Sequence, residues 1–184
     1  CPPATIAAAG LDAFVQAFES YTSRSATPFT RALSEMALVR ISQTLLPLYQ
    51  GNSDRASDML EASYLAGLAL SHARLGVIHG LAHPLGVRFH AAHGLVCACC
   101  LPACLAFNRE VIRQDLNDLK ARHGLDVEAQ ITVWLSAMRL DNPFAGQSVT
   151  DREAFIRETL ASGSTAANPR PIKADDVSAL LDAV

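Results

Sequence analysis

Almost nothing in this sequence can pair as a sheet, and that absence constrains the fold more than any motif. Aromatic residues make up 6% of the chain, alternating apolar runs are short, and no Asn-Gly or Asp-Gly turn joins two β-branched segments. Apolar residues recur instead at helical spacing, so the chain is expected to be all-α, a helical bundle. Half of the 184 residues are hydrophobic and 18% are charged, enough apolar surface for one core and far from a disordered composition. A single domain over residues 1–184 follows.

The spacing predicts a first helix over about residues 10–21, with Leu11, Phe14, Val15 and Phe18 on one stripe. A second runs from Pro28, at a first-turn position, to about Tyr49. After a turn at residues 51–54, a third helix over about 55–74 has the small-residue texture of a segment packed on several sides, which predicts a central place for it. A fourth over 77–82 should bend or stop at Pro84, because a proline inside a helix forfeits a hydrogen bond. The apolar stretch 94–107 follows, then amphipathic segments at 109–122, 127–138, 151–161 and 174–183, with 162–171 as the most loop-like piece.

The densest chemistry is His79-Gly80-Leu81-Ala82-His83-Pro84-Leu85-Gly86, followed by His93-Gly94. Residues four apart share a helix face, so His79 and His83 can point into one cavity and His93 can return to it. Neutral imidazoles suit iron and zinc, and such sites call for a carboxylate as well. Asp12, which opens an apolar helix, is the best candidate, with Gln16 one turn further along the same face. Spacing alone also allows His79 and His83 to be hydrogen-bonded core residues and Asp12 an ordinary first-turn acid.

Three segments in order resemble the iron-containing (group III) alcohol dehydrogenases. Gly10-Leu11-Asp12-Ala13-Phe14 through Glu19-Ser20-Tyr21 resembles the family's G-x-D-A-x-x-H-x-x-E-x-Y helix, and His79 to Gly86 its H-x-x-x-H-P-L-G segment. His93-Gly94 through Leu101-Pro102 and Phe107-Asn108 resembles H-G-x-x-x-A-x-x-L-P and the F-N after it. The resemblance implies the all-helical C-terminal domain of the dehydroquinate synthase-like fold. It also implies metal ligands at Asp12, Gln16, His79 and His93 for Fe2+ or Zn2+. His83 would be the catalytic and cofactor-facing residue, relaying a proton or positioning substrate near the nicotinamide, work that suits a side chain titrating near neutrality. Position 16 departs from the family pattern: an amide oxygen stands where a histidine is expected, and it is a weak, neutral ligand.

By the same resemblance the activity is a metal- and NAD(P)-dependent alcohol dehydrogenase or aldehyde reductase. This chain would be its metal-binding half, inactive by itself; the alternative is a non-catalytic helical binding or assembly module. No glycine-rich pyrophosphate loop follows a strand, so the nucleotide-binding domain is expected to be absent from this chain, with residues 1–9 as the tail of the connection to it. That domain and a small alcohol or aldehyde are the expected partners. The apolar face it would cover invites a homo-oligomer. A net charge of -3 without basic clusters argues against nucleic acid, and no apolar run reaches the roughly 18 residues that spanning a membrane requires. A cytoplasmic protein is expected. Four of the five cysteines, Cys97, Cys99, Cys100 and Cys104, are spaced neither as a disulfide framework nor as a zinc or iron–sulfur motif, and read as buried, reduced thiols.

Overall fold

The computed structural model describes all of residues 1–184 and contains nine α-helices and no strand. In order these are α1 (Pro3–Thr22), α2 (Pro28–Tyr49), α3 (Ala56–Ala73), α4 (Val77–Phe89) and α5 (His93–His123). They are followed by α6 (Val127–Met138), α7 (Arg152–Ala161), the single turn α8 (Gly163–Ala166) and α9 (Ala174–Ala183). The expected all-α bundle is what forms.

The centre of the bundle is α1, not α3. Leu11, Phe14, Val15, Phe18 and Tyr21 are all buried, because α2, α3 and α5 pack around this one helix. Phe14 meets the buried Trp134 of α6 edge to face, with ring centroids 4.9 Å apart, an arrangement aromatic quadrupoles favour. The small residues of α3 serve a different end: Ala62, Ala66, Ala69 and Ala73 form one buried face that lets the helix lie close to its neighbours, while Leu60 and Tyr64 stand exposed.

Several boundaries differ from the sequence reading, each for a physical reason. Helix α1 starts at Pro3, where a proline needs no intrahelical partner, so residues 3–9 are nearly two helical turns, of which only Ala7 is buried. Helix α4 continues through Pro84 to Phe89, and the flanking helices hold it where local preference would have broken it. The segments 94–107 and 109–122 are one 31-residue helix, closed by Gly124 in the left-handed region. That helix, α5, is long and apolar enough by composition to cross a bilayer, contrary to the expectation that no segment was. Half of its apolar window is buried in this bundle, where Val96, Ala98, Cys100, Leu101 and Cys104 fill the core.

Two of the glycines, Gly94 and Gly76, make room for the groups that set the starts of α5 and α4. A Cβ on Gly94 would stand 2.2 Å from the backbone oxygen of Ala8, so only glycine lets the start of α5 touch α1. A Cβ on Gly76 would meet Glu19 Oε1 at 2.7 Å and Asn168 Oδ1 at 3.0 Å. Those two side chains replace the cap that Gly76 cannot supply: Val77 N–H donates to Asn168 Oδ1 at 3.1 Å and Ile78 N–H donates to Glu19 Oε1 at 2.7 Å.

Candidate metal centre

Anchoring the first turn of α4 on Glu19 also orients the histidine that follows. His79 is buried, and its Nδ1 lies 2.7 Å from Glu19 Oε2, so that nitrogen donates and Nε2 faces the other way. Nε2 lies 3.3 Å from Asp12 Oδ1 on α1, and His93 Nε2, at the start of α5, is 3.7 Å from the same oxygen. Neither His79 Nε2 nor Asp12 Oδ1 has a hydrogen-bond partner, although both atoms are buried. Leaving two such atoms unpaired costs a protein free energy, on the order of 1–3 kcal/mol each, unless something else engages them.

The electrostatics of this corner favour a positive charge. Burial alone would push the His79 imidazolium down, but the polar groups around it, Asp12 first, then Cys97 and the hydrogen-bonded, charged Glu19, outweigh it and raise its pKa to about 12. Burial pushes the Asp12 carboxyl up, yet the adjacent imidazole of His79, with the charge of His93, holds it below the usual carboxylate value. The half-exposed His93 is pushed down, first by burial. Two carboxylates on either side of one imidazole thus create a place where a proton, or a cation in its stead, is stabilised.

Of the residues singled out in the sequence, Asp12, His79 and His93 converge. His83 is exposed beside them, its ring 5.1 Å from that of His93 and nearly parallel to it, and 6.4 Å from that of His79. Gln16 does not extend the donor cluster: its Nε2 donates to Asp12 Oδ2 at 2.9 Å, which ties down the carboxylate oxygen that faces away from the histidines. Two contributors were missed. Glu19 lies seven residues after Asp12, on the same face of α1, and Cys97 four after His93, so helical spacing could have raised both. Cys97 Sγ, His79, His93 and Asp12 place their donor atoms within 4.8 Å of one another. A third, Asn168, holds the α4 turn from the far end of the chain and exchanges a pair of amide hydrogen bonds with the buried Asn108.

The fold and the site together define a helical domain built around a buried carboxylate–imidazole–thiol donor set at the meeting of α1, α4 and α5. The model of the C-terminal part of the Fe-containing alcohol dehydrogenase family matches residues 6–184, and the chain belongs to that family. It is similar to lactaldehyde reductase of Escherichia coli K12, 30% identical over 190 aligned positions that cover 96% of this chain and 50% of that protein. The chain therefore spans about half the length of the curated relative it matches. Its fold is shared with an iron-containing alcohol dehydrogenase from Thermococcus thioreducens, at TM-score 0.90 and 23% identity over all of this chain and 51% of that one. It is shared too with sulfoacetaldehyde reductase from Bifidobacterium kashiwanohense in complex with NAD+, at TM-score 0.88 and 19% identity over all of this chain and 50% of that one.

Proposed function

We propose that this chain is the metal-binding half of an NAD(P)-dependent alcohol dehydrogenase or aldehyde reductase, with Asp12, His79 and His93 holding iron or zinc. The observation that carries the proposal is the pair of buried, unpartnered atoms, Asp12 Oδ1 and His79 Nε2, aimed at one point with His93 Nε2 beside them. Bound there, the metal supplies a Lewis acid for the oxygen of a small alcohol or aldehyde, and a nicotinamide carried by a nucleotide-binding half supplies hydride chemistry. The names of the relatives support the substrate class, and the NAD+ complex of the sulfoacetaldehyde reductase supports the cofactor.

The chain's own residues have separable tasks. Glu19 fixes His79 so that Nε2 faces the site, and Gln16 steadies Asp12 from outside it. The exposed His83 stands on the open side next to His93, placed to pass a proton between substrate oxygen and solvent through its ring nitrogens. The partners proposed are a nucleotide-binding half of the same enzyme and, through exposed apolar residues such as Leu60 and Tyr64, a second copy; the proposed location is the cytoplasm. A non-catalytic assembly module is the weaker reading, since it gives the buried Asp12 and His79 atoms no use.

The test is to join the chain to the nucleotide-binding half of the Escherichia coli lactaldehyde reductase, load it with iron or zinc, and follow aldehyde-dependent oxidation of NADH and NADPH. Turnover that falls at least tenfold in His83→Ala while metal content is unchanged is expected. A folded, metal-loaded fusion that binds nicotinamide yet oxidises none with any small aldehyde contradicts the proposal.

A further inference from the structure

The donor set contains one more group than the proposed function uses, and it is the buried thiol on α5. Cys97 lies one turn after His93 on the same face, with its side chain fully enclosed, and its Sγ is 3.5 Å from His93 Nε2. It makes no other hydrogen bond, and of the three cysteines buried in this core, Cys97, Cys100 and Cys104, it alone belongs to the donor group. A tetrahedral zinc ion with bonds of about 2.0–2.3 Å requires its ligand atoms to stand roughly 3.3–3.6 Å apart. The spacings found are 3.3 Å for His79 Nε2 to Asp12 Oδ1, 3.5 Å for Cys97 Sγ to His93 Nε2 and 3.7 Å for His93 Nε2 to Asp12 Oδ1. Three of the six donor–donor spacings thus match a coordination tetrahedron, and all four donors lie within 4.8 Å of one another.

We propose that Cys97, as a thiolate, is the fourth protein ligand of this site, in place of the residue at position 16, and that it biases the site toward zinc over iron. The proposal rests on the reading that Asp12, His79 and His93 hold a metal. Gln16 is engaged by Asp12 and offers at best a neutral amide oxygen, while Cys97 brings a negative charge. Together with Asp12 it balances the charge of a divalent ion in a setting where unbalanced charge is costly. A thiolate is a soft ligand, and it shifts selectivity from iron toward zinc in the direction the divalent series already favours. On binding, the S–H bond of Cys97 breaks, a metal–sulfur bond forms and the proton leaves to the buffer past the half-exposed His93; no electrons are transferred.

Cobalt(II) is the probe, because a thiolate bound to it adds an intense near-ultraviolet charge-transfer band to the visible bands that any tetrahedral cobalt site shows. The purified 184-residue chain is titrated with cobalt under anaerobic conditions beside Cys97→Ser and Cys99→Ser, each first checked for native helicity by circular dichroism. The near-ultraviolet band is expected in the parent and in Cys99→Ser. In Cys97→Ser it disappears while the visible bands persist, zinc affinity falls at least tenfold, and preference for zinc over Fe(II) narrows. Visible bands without the near-ultraviolet band in the parent, with equal zinc affinity in Cys97→Ser, overturn the assignment of Cys97 and leave the three-residue site standing. No cobalt bands at all, with no zinc bound, overturn both. Should Cys97→Ser fail to fold, X-ray absorption of the zinc-loaded parent decides: one sulfur in the first shell is expected, and a shell of nitrogen and oxygen alone refutes the proposal.

Discussion

Glu19→Gln is the most informative single change, because it preserves shape and removes one acceptor. The buried Glu19 accepts from two donors, Ile78 N–H at Oε1 and His79 Nδ1 at Oε2, each at 2.7 Å. Glutamine has one oxygen and one NH2 group, so in either orientation an N–H group confronts another N–H. If the NH2 group faces Ile78, a buried backbone donor loses its partner at a cost of about 1–3 kcal/mol. In a chain of this size that lowers Tm by about 2–12 °C. If it faces His79, the imidazole is driven to the tautomer with hydrogen on Nε2, the nitrogen that points at Asp12. Metal affinity then falls by about 10–100-fold, the range found for partners that orient a ligating histidine. Calorimetric melting of the metal-free chain, with zinc competition against a chromophoric chelator, reads both branches. A variant with wild-type Tm and wild-type zinc affinity refutes the reasoning, since no orientation of glutamine satisfies both donors.

Gly94→Ala forces a Cβ against the Ala8 carbonyl, a backbone atom that cannot step aside, so α1 and α5 must separate. A stability loss of at least about 1–3 kcal/mol is expected by denaturant titration, together with weaker metal binding as His93 leaves Asp12. Asn168→Ala unpairs the Val77 N–H and breaks the exchange with Asn108. About 2–4 kcal/mol of destabilisation is expected from the buried groups left without partners. The metal-free chain should also lose stability as pH rises above neutrality. His79 titrates at about 12 in the fold against an ordinary 6.5, so its contribution is complete below pH 6.5 and is lost as pH climbs toward the folded value. Melts at pH 7, 8 and 9 should show a decline of up to about 1.4 kcal/mol per unit from this group, smaller in Asp12→Asn. A rise over that range would contradict the assignment.

What could be read from the sequence was whatever depends on spacing within one helix. His79, His83 and their phase on α4, the register of Leu11, Phe14 and Phe18 on α1, and the bounds of α2 and α6 follow from a 3.6-residue repeat and a few caps. Convergence of Asp12 with His79 and His93 came from the family resemblance, since no periodicity says which helix lies beside which. Helical spacing puts Glu19 on the face of Asp12 but does not say that it meets His79, 60 residues away, nor that Asn168 braces the same turn from 91 residues beyond Val77. Cys97 was read as an inert core thiol because its burial was foreseen and its neighbours were not. At Pro84 the local rule allows a bend or a stop, and tertiary packing on several sides excludes the stop.

The central claim is that Asp12, His79 and His93 together hold a divalent metal. Elemental analysis of the purified chain, after exposure to iron or zinc and removal of free ion, tests it directly beside His79→Ala. About one metal ion per chain in the parent, absent from the folded variant, is the predicted result; a parent that retains no metal, or a His79→Ala variant that retains it in full, would contradict it.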